Sequence, residues 1–72
     1  MHAKFSKGAK VKWRWGAHEA KGEIVERFER RVTRTLKGER VVREGDAKEP
    51  AYLIRQADGD RVLKSHSELS AG

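Results

Sequence analysis

Cationic and apolar residues alternate from Lys10 to Trp15, and the run stops at Gly16. Successive side chains of a strand point to opposite faces. The pattern predicts a strand over about 9–15, with Val11, Trp13 and Trp15 on one face and Lys10, Lys12 and Arg14 on the other. Ahead of it, Phe5 is a candidate plug for one end of a core, and Ser6-Lys7-Gly8 suggests a turn. Gly16 to Glu19 reads as a connection.

Between Ala20 and Leu36 the pattern supports two structures. Ile24, Phe28, Val32 and Leu36 recur every fourth residue, and Glu23/Arg27 and Glu26/Arg30 place an acid four residues before a base. Both features suit an amphipathic helix, which Gly38 would cap. Val25, Val32, Thr33 and Thr35 favour strands instead. Gly22 suits a bulge or a close backbone approach better than a helix's first turn. Periodicity alone leaves both readings open.

The remainder is punctuated by turns. Lys37-Gly38 can form a hairpin turn before a short strand, Arg40 to Arg43. Glu44 to Pro50 is a polar loop, and Pro50 biases Glu49 towards an extended conformation. Ala51 to Gln56 is a largely apolar strand. Asp58-Gly59 is the strongest hairpin signal, leading to a strand over Arg61 to Lys64. Ser65-His66-Ser67-Glu68 has the capping-box pattern, in which Glu68 reaches back to the first residue of a turn while Leu69 packs inward.

Composition narrows the function classes. Seventy-two residues make one domain, 1–72, with its core over about 5–69. A chain of this size buries only about 60% of the surface its unfolded form exposes. The chain has no cysteine, which excludes disulfides, thiolate metal sites and cysteine nucleophiles. No apolar run approaches the roughly 20 residues of a membrane span, and no apolar signal segment follows the N-terminal lysines. The expectation is a monomeric cytoplasmic protein with no membrane partner.

The net charge of +6 is unevenly placed. Lys4, Lys7, Lys10, Lys12 and Arg14 meet no acid within residues 1–15, and residues 30–43 hold six cations against Glu39 alone. Two basic segments that met in space would attract polyanions.

Several pieces together resemble a known family. They are Phe5…Lys7-Gly8, Val11-Lys12-Trp13, Ala20-Lys21-Gly22, Thr33…Thr35…Lys37-Gly38, Pro50-Ala51-Tyr52-Leu53-Ile54, and Asp58-Gly59…Val62-Leu63-Lys64-Ser65-His66-Ser67-Glu68-Leu69. The chain resembles the hypervirulence-associated Tudor-domain family along nearly its whole length, most specifically from Pro50 onwards. Glu29-Arg30-Arg31 departs from that family in being unusually basic. The resemblance implies an all-β fold: a small SH3-like or Tudor-like barrel of about five strands with one short C-terminal helical turn. It favours strands for 21–28 and for two arms of 33–43 bent at Lys37-Gly38. It implies no established activity.

Candidate chemistry falls into two groups. The nucleic-acid candidates are Lys10, Lys12, Arg14, Arg30, Arg31, Arg34, Arg40 and Arg43, cations that would contact phosphates. Without a base-reading motif, such binding would be weakly sequence-specific. Trp13, Trp15 and Tyr52 are the candidates for an aromatic cage around a methylated cation, or else they fill the core. A peptide could also pair with an exposed strand edge. His2, His18 and His66 lie far apart with no metal-ligand spacing. Ser65-His66-Ser67 lacks the geometry of a catalytic triad, and no phosphate-binding glycine motif occurs. The expected protein is therefore a non-enzymatic binding module without metal, cofactor or small-molecule substrate. Its leading partner is nucleic acid and the alternative is a protein or peptide.

Overall fold

The computed structural model describes residues 5–72, except for the side chain of Trp15. His2 and Lys4 lie outside the described residues. Seven strands form among the described residues: β1 (Lys10–Trp15), β2 (His18–Phe28), β3 (Val32–Leu36), β4 (Glu39–Arg43), β5 (Ala51–Gln56), β6 (Arg61–Ser65) and β7 (Ser70–Ala71). Five make an antiparallel sheet in the order β6-β5-β2-β1-β7, and β3-β4 is a separate hairpin. A 3-10 turn, His66–Glu68, joins β6 to β7. The all-β, Tudor-like expectation holds, with more strands than the five expected.

β2 is the long strand that ties the sheet together. Its first half pairs with β1, from Trp15↔His18 to Lys10↔Glu23. Its second half pairs with β5, from Gly22↔Gln56 to Phe28↔Ala51. The expected connection over 16–19 is shorter than read, because His18 and Glu19 already belong to the ladder and only Gly16-Ala17 turn. The register shifts between Ile24 and Glu26, which leaves Val25 as the extra residue of a bulge. Ile24 therefore packs with Val11, Trp13, Tyr52, Ile54 and Leu69, whereas Phe28 packs with Val32, Ala51, Leu53 and Leu63.

The helical reading of 20–36 is thus resolved as strands. A spacing of four also returns to the same face of a strand, so Val32 and Leu36 share one face of β3. Glu23 does not pair with Arg27 along a helix. It faces Lys10 and Arg55 across the sheet, while Arg27 is ion-paired with Glu29.

Turn chemistry sets the hairpin registers. Lys37 and Gly38 both have positive φ, 52° and 78°, as a two-residue turn matching strand twist requires. The β5–β6 turn is held by the Gly59 N–H donating to the Gln56 carbonyl at 2.9 Å and the Asp60 N–H donating to the Asp58 carboxylate at 2.9 Å. Lys37 Nζ then reaches Asp60 at 2.6 Å, tying the tip of the β3–β4 hairpin to the β5–β6 turn. The capping pattern at Ser65 also forms: the Glu68 carboxylate accepts the Ser65 N–H at 2.8 Å, and Leu69 is buried.

Gly22 is the close backbone approach expected of it. A Cβ there would lie 2.5 Å from Ile54 Cγ2 and 2.8 Å from the Arg55 carbonyl oxygen. Overpacking of this kind costs about 1–3 kcal/mol. Gly22→Ala is expected to lower the urea midpoint by an equivalent amount at unchanged m-value; an unchanged midpoint would contradict this packing of β2 on β5.

Candidate functional site

The register of β1, β2, β5 and β6 decides which charges meet. Side chains directly opposite on paired strands share a face. Lys10, Glu23, Arg55 and Arg61 are successive partners across four strands. Lys12 lies opposite Lys21, and Arg14 opposite Glu19. One end of this sheet face therefore carries Lys10, Lys12, Arg14, Lys21, Arg55 and Arg61 beside two carboxylates, Glu19 and Glu23, with Glu26 opposite Leu53 further along. The row from Lys10 to Arg61 crosses three interstrand spacings, about 14 Å. Two residues further along β5 and β6, Leu53 and Leu63 point to the same side and are buried with Val32 of the β3–β4 hairpin. The sheet face is thus cationic at one end and covered at the other.

The two carboxylates partly neutralise this face. Glu23 Oε1 lies 3.0 Å from Lys10 Nζ and 4.0 Å from Arg55. The Lys10 hydrogen bond and charge hold the Glu23 carboxyl below its ordinary value of 4.5, with Arg55 adding to the effect. Lys12 stands 4.0 Å from Glu19. Arg14, Lys21 and Arg61 have no acid partner among the described residues. All three are exposed. Lys21, Arg55 and Arg61 were not among the sequence candidates. Only the cross-strand register reveals them, since they are far from one another along the chain.

The basic arm at 30–43 is divided by its own strands. Val32, Arg34 and Leu36 share one face of the hairpin with Val41 and Arg43, while Thr33, Thr35 and Arg40 occupy the other. Arg34 and Arg30 both lie over the Phe28 ring, at 4.8 and 5.4 Å from its centroid. Arg43 Nε reaches the Glu68 carboxylate at 3.3 Å, and Lys64 approaches the same group at 3.7 Å. Burial opposes ionisation of Glu68, but the Ser65 N–H, Lys64 and Arg43 outweigh it and hold the carboxyl below 4.5. Arg31 and Arg40 are exposed without an acid partner among the described residues. Of the eight cationic candidates, the structure brings Lys10, Lys12 and Arg14 onto one face and Arg30 and Arg34 around one ring. Arg43 is engaged in closing the C-terminal turn.

Two of the three aromatic-cage candidates are buried. Trp13 is 4% exposed and Tyr52 is 0% exposed, so Tyr52, a candidate ligand-binding residue from the sequence, is a core residue here. Its position in β5 aims the ring into the sheet's apolar face, where Phe5 packs edge-on at 5.8 Å. The Tyr52 hydroxyl accepts the Phe5 N–H at 3.2 Å and lies 3.3 Å from His66 Nδ1. His66 is thereby part of the packing between Phe5 and Tyr52. Trp15 lies in β1, and its side chain is outside the described part of the structure. Among the described residues no cluster of three or more His, Cys, Asp or Glu could hold a metal ion. Likewise, no helix among them is long and apolar enough to cross a membrane.

A bent antiparallel sheet, a packed hairpin and a 3-10 turn before the last strand define a small all-β domain of Tudor type. The family model described as the Tudor domain of hypervirulence-associated proteins matches residues 8–69, and the chain belongs to that family. Comparison with curated proteins and with solved structures finds no match. Family membership supports a binding module.

Tyr52→Phe tests the core assignment. Removing the hydroxyl leaves the Phe5 N–H without its acceptor, at a cost of about 1 kcal/mol. Burial also pushes the Tyr52 phenol above its ordinary value of 10.0, only partly offset by the Phe5 N–H. A group with a raised folded pKa stabilises the fold below its unfolded pKa, and that contribution is lost as pH rises through the folded pKa. Denaturation between pH 9 and 12 should show the wild type losing stability above about pH 10, with Tyr52→Phe lacking this component. Equal stability at neutral pH and equal alkaline slopes would return Tyr52 to the surface.

Proposed function

We propose that this domain is a non-enzymatic module that binds nucleic acid through its cationic sheet face. The observation that carries the reading is the grouping of Lys10, Lys12, Arg14, Lys21, Arg55 and Arg61 on one sheet face, where they outnumber the nearby carboxylates of Glu19, Glu23 and Glu68. Flexible cations on a rigid sheet contact phosphates and release condensed counterions. The sequence carries no base-reading motif, so binding is backbone-directed and tolerant of sequence. Arg31 and Arg40, exposed on the hairpin and its approach, supply attraction at longer range.

A polyanion spanning the row from Lys10 to Arg61 meets three to four phosphates. The logarithm of affinity for short duplex DNA should then fall with the logarithm of salt with a slope of about −3. The double variant Arg55→Gln, Arg61→Gln, both in that row, should reduce the steepness of that slope by about 2, since each phosphate-contacting cation contributes about one. Fluorescence anisotropy between 20 and 200 mM salt measures both. Affinity indifferent to salt, or a slope unchanged in the double variant, would defeat the reading.

A further inference from the structure

A cleft of about 620 Å³ opens where β1, β2 and the start of the β5–β6 turn come together. That lies within the roughly 300–1,000 Å³ typical of small-ligand sites. Lys10, Lys21 and Arg55 line it with Glu23, and Gly22 and Gly59 expose backbone to it. The bare backbone at Gly22 is obligatory, because a side chain there would collide with Ile54. Three basic residues and one acidic residue thus border the cleft, whose lining is completed by Val11, Ala57 and Gly72. That carboxylate is engaged from two sides by the same oxygen, Oε1, at 3.0 Å from Lys10 and 4.0 Å from Arg55. Lys21 has no acid partner among the described residues.

This arrangement has the form of an anion site occupied by its own internal counter-ion. Glu23 keeps Lys10 and Arg55 turned towards one point, and a stronger anion arriving there competes for both. Both partners are exposed, with side chains of Lys10 and Arg55 72% and 57% accessible. Water-screened pairs of this kind are worth little, so the exchange is inexpensive. A phosphate presents more acceptor oxygens and more charge than a carboxylate, and Lys21 adds a cation that Glu23 does not use.

We propose that the cleft is a discrete site for the phosphate groups of a small ligand, with Lys10, Lys21 and Arg55 as anion contacts and Glu23 as the internal anion that the phosphate displaces. The site is part of the cationic face on which the nucleic-acid reading rests, but it requires a pocket and not the whole face.

Amide chemical-shift titration with inorganic pyrophosphate, at ionic strength matched with sodium chloride, tests it. Saturable shifts are expected at Lys21, Gly22, Glu23 and Arg55. Glu23→Gln should tighten binding about two- to fivefold, the range of an exposed ion pair removed, whereas Lys21→Gln and Arg55→Gln should each weaken it by a similar factor. ADP should shift the same amides, and adenosine should not. Non-saturating shifts spread over all basic residues, weaker binding by Glu23→Gln, or adenosine alone shifting these amides would overturn the site. Short duplex DNA titrated into the same samples separates the two claims. DNA binding without pyrophosphate binding removes the cleft and leaves the face; pyrophosphate binding without DNA binding does the reverse.

Discussion

The structure depends on β5 being buried on both of its faces. Ala51, Tyr52, Leu53 and Ile54 are all between 0% and 5% exposed. Tyr52 and Ile54 face one apolar cluster with Val11, Trp13, Ile24 and Leu69, while Ala51 and Leu53 face the other with Phe28, Val32 and Leu63. Full burial of a large apolar side chain contributes about 1.5–3 kcal/mol. A strand that contributes to two half-cores therefore holds together what neither half could hold alone in so short a chain. β2 meets this demand by pairing with β1 along one half and β5 along the other, with the bulge at Val25 switching its packing between the clusters.

The charged face follows from the same arrangement. β5 stops being covered after Ile54, and Arg55 is the first of its residues to reach solvent. Its neighbours in register, Glu23 on one side and Arg61 on the other, are drawn into the same row. Packing thus fixes where the cations stand, and the ion pairs to Glu19 and Glu23 adjust how much of their charge is presented. Holding a cationic surface over a small, doubly used core brings no large stability cost, because the charges are exposed and screened.

Much of the fold was legible in local chemistry. Asp58-Gly59, Lys37-Gly38 and the Ser65…Glu68 pattern each act over four residues or fewer, and each forms the turn its residues favour. The alternation of β1 was equally readable. The stretch 20–36 was not, since a spacing of four residues satisfies a helix and one face of a strand alike, and only contacts with β5 distinguish them. The same holds for the candidate site. Lys10, Lys12 and Arg14 could be named from β1 alone, but Lys21, Arg55 and Arg61 join them only through cross-strand register, which no local pattern encodes. Tyr52 was left between core and cage for a related reason. An aromatic ring looks the same in a core and in a cage until both faces of its strand are known to be covered.

The central claim is that strand register, more than the run of basic residues along the chain, builds the functional surface. Amide chemical-shift mapping with a short DNA duplex tests it directly. Shifts at Lys10, Lys12, Arg14, Lys21, Arg55 and Arg61, residues from four different strands, are the predicted result. Shifts confined to residues 30–43, or absent from β5 and β6, would contradict it.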